Sequence, residues 1–171
     1  NNEQFPSGSG NFALAATDVS AVLEVQNNVP IIVERAMYLT RGTEQFTAGH
    51  ESAGVTAPSP TWFLAEGATG TFDTFLLLAN PNPQPVTARL TYLLEGGTTF
   101  VQDRDLPANS RDTVWVNYQA FPGQAPGLPM ANVGFSTVVE SLDPSLPILA
   151  ERAMWWPAGG WEEGHDSAGA T

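Results

Sequence analysis

The chain has 171 residues, enough for one domain with a real core or for a domain plus a fragment. Its 18 acidic residues face six basic ones, all Arg, and a net charge of -12 without any basic patch argues against nucleic acid and anionic lipid as partners. No run approaches the ~18 apolar residues of a membrane span, and the lack of Cys excludes disulfides, thiolate catalysis and Cys-ligated zinc.

The chain opens on NNEQFPSGSGN, too polar for a signal peptide, so a secretion signal would have been removed or would lie upstream. Pro58 and Pro60 in TAPSPTWF mark a seam, because Pro disrupts a continuing strand. Beyond the seam, strands are predicted over 61–65, 72–79, 86–94, 98–106, 111–118, 133–141, 147–156 and 166–170. In VTARLTYLL, Val86, Ala88, Leu90, Tyr92 and Leu94 share one face, a period of two. DTVWVNY places Val114, Val116 and Tyr118 on one face in the same way. TFLLLA does not alternate and suits a central strand covered on both sides. Turn signals at NPNPQP, EGG, LPANS, DPSLP and PAGG separate the runs. Short strands at this spacing, without an amphipathic helix, predict an all-β, immunoglobulin-like antiparallel β-sandwich of seven or eight strands per unit.

The unit is duplicated. Phe5-Pro6 matches Phe121-Pro122, Val22 and Glu24 match Val138 and Glu140, and ERAM at 34–37 returns at 151–154. GHESAGVT (49–56) faces GHDSAGAT (164–171), with six of eight positions identical. A repeat of about 115 residues suits a sandwich better than propeller blades of ~40–50. The chain then divides into a carboxy-terminal half-unit (1–56) and a complete unit (57–171), itself an amino-terminal half (57–117) and a second carboxy-terminal half (118–171). On this division the first third has no amino-terminal half of its own. Either the chain is a segment of a longer array, or a carboxy-terminal half folds alone as a small sheet.

In ILAERAMWW, Glu151 and Arg152 point to opposite faces and cannot pair with each other. A charge in so apolar a strand needs a partner, and Glu66 of LAEG and His165 are the candidates. With their first-copy counterparts, the expected structural polar cluster is Glu34, Arg35, His50, Glu66, Glu151, Arg152 and His165.

The strings TWFLAEGATGTFDTFLLLANPNP, LPANSRDTVWV, FSTVVES, AERAMWW and GHDSAGAT resemble an uncharacterised tandem β-sandwich repeat of large exported bacterial surface or secreted proteins, over nearly all of residues 5–171. The resemblance implies extracellular or cell-surface β-domains strung in series and carries no catalytic residues. HESAG and HDSAG approach the G-x-S-x-G elbow of serine hydrolases, but His replaces the first Gly, which disfavours Ser52 and Ser167 as nucleophiles. One His per unit builds no multi-histidine metal site. Calcium at DRD (103–105) or WEEGHD (161–166) is a weak option without EF-hand spacing, and no cofactor is expected. Trp155, Trp156 and Trp161 fit either an interface or a glycan platform. The expectation is therefore a non-catalytic structural protein of the cell exterior, a segment of a tandem array or self-associating filament. Its partners would be copies of itself or adjacent repeats. The alternative is a glycan-binding or adhesion module attached to a secreted enzyme.

Overall fold

Alternation decides which face of each strand is buried. In the computed structural model, which describes residues 17–41, 43–121 and 129–171, β5 (Val86–Leu94) buries Val86, Ala88, Leu90 and Tyr92 and turns the residues between them outward. β4 (Asp73–Asn80) buries Leu76 and Leu78 on one face, and its other face is half-covered. The remaining strands are β1 (Glu34–Arg41), β2 (Glu44–Ala53), β3 (Thr61–Leu64), β6 (Thr99–Leu106), β7 (Ser110–Trp115), β8 (Phe135–Ser141), β9 (Leu149–Trp156) and β10 (Glu163–Ala168).

All pairings are antiparallel. Two four-stranded sheets form, ordered β3-β8-β5-β6 and β10-β9-β4-β7, while β1 and β2 form a separate two-stranded sheet. Trp62, Leu64, Leu90, Tyr92 and Val139 from one sheet join Leu76, Leu78, Val114 and Ala150 from the other in one core. The antiparallel sandwich expected from the sequence is the fold, and TFLLLA does lie in the interior of its sheet, between β9 and β7.

Two local expectations fail. The strand predicted to run to Tyr118 ends at Trp115, and Val116–Tyr118 closes into a 3-10 turn. Tyr118 leaves the buried face and stacks edge-on against Trp115, centroids 4.6 Å apart. The last strand begins at Glu163 rather than 166, because Glu163 already pairs with Trp156. Phe5, Pro6 and Pro122, used to align the repeat, lie outside the described residues.

Turn chemistry holds the two sheets in register. Asn80 is buried, and its side-chain amide donates to the carbonyls of Gln84 (2.8 Å), Leu106 (3.2 Å) and Pro107 (2.9 Å) while its Oδ1 accepts from the N–H of Asn82 (3.0 Å). The Asn-Pro signal is therefore a polar clamp as well as a turn. At the seam, Ser59 between Pro58 and Pro60 exchanges backbone hydrogen bonds with Ile148 (2.9 and 3.0 Å). The first and last segments of the sandwich meet where Phe63 and Ala170 bridge through two hydrogen bonds, 2.7 and 2.9 Å. The edge strand β6 is lined by charge, with Arg89 bidentate on Asp103 at 2.8 Å and Arg104 on Asp112 at 2.7 Å, a common defence of an exposed edge.

Candidate functional site

The duplicated motifs fold into the same hairpin twice. Arg35 lies opposite Ser52 and Met37 opposite His50, just as Arg152 lies opposite Ser167 and Met154 opposite His165. Each Arg reaches across to its Ser, at 3.1 Å in the first copy and 3.2 Å in the second. The Gly of G-H-x-S is also explained. A Cβ on Gly49 would come within 2.9 Å of the Tyr38 ring, and one on Gly164 within 2.7 Å of the Trp155 ring. The aromatic residue lies flat over the position opposite it, which leaves room for nothing but hydrogen.

The two hairpins use that face differently. In β9–β10 it turns inward: Arg152 is buried and donates to the backbone carbonyl of Glu66, with His165 Nδ1 at 3.4 Å. In β1–β2 the same face lies against the outer surface of β9–β10. There Arg35 meets Glu151 at 3.1 Å and bonds Asp166, whose carboxylate is fully buried. His50 packs edge-on against Trp155, centroids 5.0 Å apart. The contact is made by side chains, since β2 and β10 belong to different sheets.

His50 Nδ1 lies 3.6 Å from Asp166, too long for a hydrogen bond, so the ring gains only the field of that carboxylate. Burial holds the His50 pKa below 6.5, Asp166 pulls it up in part, and Arg35 and His165 push it further down. The sign follows from proton counting. The undocked hairpin binds more protons than the docked one once the pH falls below 6.5, so docking is fully present above that pH and weakens below it. A histidine titration by NMR should give His50 a midpoint under 6.5, and a midpoint at or above 6.5 would refute this account of the contact.

No family model matches this chain, and no curated protein matches it. Among solved structures, the crystal structure of Thermotoga maritima 1070 superposes with a TM-score of 0.55 at 13% identity, over 66% of this chain and 94% of that one. The Anabaena sensory rhodopsin transducer superposes with a TM-score of 0.47 at 17% identity, over 58% of this chain and 86% of its own. At such identities the Thermotoga likeness speaks for the fold alone.

The expected polar residues are thus divided between two layers. Arg35, His50 and Glu151 meet in the docking contact, Arg152 is buried in the sandwich with the exposed His165 beside it, and Glu66 contributes its carbonyl while its side chain stays exposed. Glu34 lies exposed on the face of β1 opposite to Arg35. Ser52 and Ser167 each take an N–H from an Arg. Of the acids considered for calcium, Asp103 is held by Arg89 and Asp105 by the Thr87 hydroxyl (2.8 Å). Among the described residues no group of three or more His, Asp or Glu side chains is placed to hold a metal.

Trp155 and Trp161 lie on one face of their sheet, and Trp156 points to the other. Trp155 packs on His50, Trp156 on Phe72 (5.6 Å), and Trp161 on Phe75 (6.0 Å) and Trp115 (6.1 Å). Trp155 and Trp156 are adjacent in a strand and point to opposite faces, so the three rings share no plane.

Two acids have roles the sequence reading did not assign: Asp166, weighed there only as a calcium ligand within WEEGHD, and Asp73. Asp166, opposite Ala153, is the anchor of the docking contact. Its signal was the alternation that puts it on the Glu151 face. Asp73 is buried and accepts from Trp115 Nε1 (3.1 Å), the Gly159 N–H (2.6 Å) and Trp161 Nε1 (2.6 Å). Nothing in the string FDTF marks it for that role.

Proposed function

We propose that this is a non-catalytic structural protein of the cell exterior, a segment of a tandem array of β-sandwiches whose units join through their strands. One observation carries the reading: the same repeated sequence occurs in two states in one chain. In the second copy the strands of the carboxy-terminal half are closed into a sandwich with β3–β7. In the first copy, among the described residues, the corresponding hairpin pairs only with itself and rests by side-chain contacts on its neighbour. A chain in which one half-unit lies open beside a closed unit is suited to building length, because the open half can take its missing strands from a further copy. The resemblance to exported bacterial repeats supports placing that array outside the cell.

Negative-stain electron microscopy of the native polypeptide tests the array directly. Sandwich-sized beads joined in line are expected. Dispersed single particles at every concentration would count against the reading.

A further inference from the structure

Among the described residues, six of the fourteen exposed large hydrophobic side chains fall within 19–32. Val19, Val22, Leu23, Val29, Ile31 and Ile32 are all exposed, and none of residues 17–33 belongs to a strand. The repeat identifies what these residues correspond to. With Val22 and Glu24 aligned on Val138 and Glu140, residues 19–25 are the counterpart of β8. With Pro30-Ile31 aligned on Pro147-Ile148, residues 29–33 are the counterpart of the lead-in to β9.

The two copies differ sharply in exposure. Leu23 is 58% exposed where its counterpart Val139 is at 0%; Ile31 is at 56% against 0% for Ile148, and Met37 at 47% against 6% for Met154. The residues that fill the core in the second copy are therefore bare in the first. Apolar side chains in that pattern gain by removal from water. In the second copy β8 lies between β3 and β5, and β9 pairs with β4. All three of those strands come from residues 57–117. In the first copy Arg111 pairs with Asp18 at 3.1 Å, which holds the start of the segment beside the sandwich without drawing it into a sheet.

We infer that residues 19–39 form a docking surface for a further amino-terminal half-unit of this same repeat, with the chemistry of residues 57–117. Residues 19–25 enter its sheet between strands of the β3 and β5 type, and β1 adds to a strand of the β4 type. On docking, Arg35 leaves Asp166 and Glu151 for a backbone carbonyl equivalent to that of Glu66, the partner Arg152 already has. The present contact with β9–β10 is the parked position of an unfilled half. Its imperfect polar matching fits that role: His50 Nδ1 and Asp166 Oδ1 are buried there without hydrogen bonds, while Arg35 Nε shares that state with Arg152 Nε of the filled copy. This inference rests on the array reading and names the partner at its open end.

The test uses the full chain, alone and extended by a second copy of residues 57–117 placed ahead of residue 1. Hydrogen exchange at residues 19–25 and 29–39 should slow by roughly a hundredfold in the extended chain, and Ile31→Asp should abolish that protection. In the chain alone, Ile31→Asp should leave the melting temperature unchanged, since Ile31 is exposed there. Unchanged exchange at 19–25 in an extended chain whose 73–80 amides stay protected would overturn the inference. So would protection that survives Ile31→Asp, or a chain alone that Ile31→Asp destabilises as a core change would. Joined beads by microscopy with unprotected 19–25 would remove this inference and leave the array. Protection without beads would do the reverse.

Discussion

Arg152→Ala is expected to lower the stability of the sandwich by about 3–4 kcal/mol, while Arg35→Ala, the same change in the other copy, should cost less than about 1 kcal/mol. The asymmetry comes from the surroundings of the two side chains. Arg152 is 5% exposed, and its loss strands the Glu66 carbonyl and the Ser167 hydroxyl and leaves a cavity between the sheets. Burial also lowers its pKa, opposed by the carboxylates of Glu66 and Asp166, which marks the site as costly for any charge. The Arg35 side chain is 40% exposed, and its loss releases a hairpin that shares no hydrogen-bonded strand with the sandwich. Urea denaturation followed by Trp fluorescence decides between them, because all five Trp residues lie in 57–171. Arg152→Met, which keeps much of the packing without the charge, should recover part of the loss. Equal effects at positions 35 and 152 would mean that the hairpin is integral to the sandwich.

Asp73→Ala is expected to cost about 2–3 kcal/mol, and Asp73→Asn about half of that. The carboxylate gathers two indole N–H groups and one backbone N–H, and truncation leaves these donors facing a void. Asn retains one acceptor oxygen and so holds one part of the network. The local consequence is as telling as the global one. The loop carrying Gly159 and Trp161 is tied to β4 through Asp73, so the Trp161 ring should come free of Phe75 and Trp115. A red shift of the fluorescence before global unfolding would report that release. An Asp73→Ala protein with unchanged stability would show that water substitutes for the carboxylate.

Much of the sandwich could be read from period two and turn residues, as at Val86, Ala88, Leu90 and Tyr92, because a half-buried strand writes its burial into alternate positions. The opposed directions of Glu151 and Arg152 were legible for the same reason. Partner identity was not. Glu151 is met by Arg35, over a hundred residues away, and that depends on how one hairpin lies on another rather than on any local pattern. Tyr118 obeyed the alternation in sequence but not in space, because Val116–Tyr118 closes a turn with Gln119 N–H on the Val116 carbonyl. Asp73 and Asn80 were invisible as clamps because their donors and acceptors converge from distant loops. Identical hairpin registers in the two copies, by contrast, follow directly from the duplicated text.

The bridge between Phe63 and Ala170 has a mechanical consequence. Phe63 and Ala170 are held side by side, so tension from the Ala170 side arrives first at those two hydrogen bonds, while tension from the Pro58 side meets the Ser59–Ile148 pair first. Antiparallel bonds loaded in this way open one after the other, as a zip does. Under load the segment at Ala170 would part from β3 while β10 stayed paired with β9 and the buried interior stayed shut, giving the sandwich a small reserve of extension before its core was at risk.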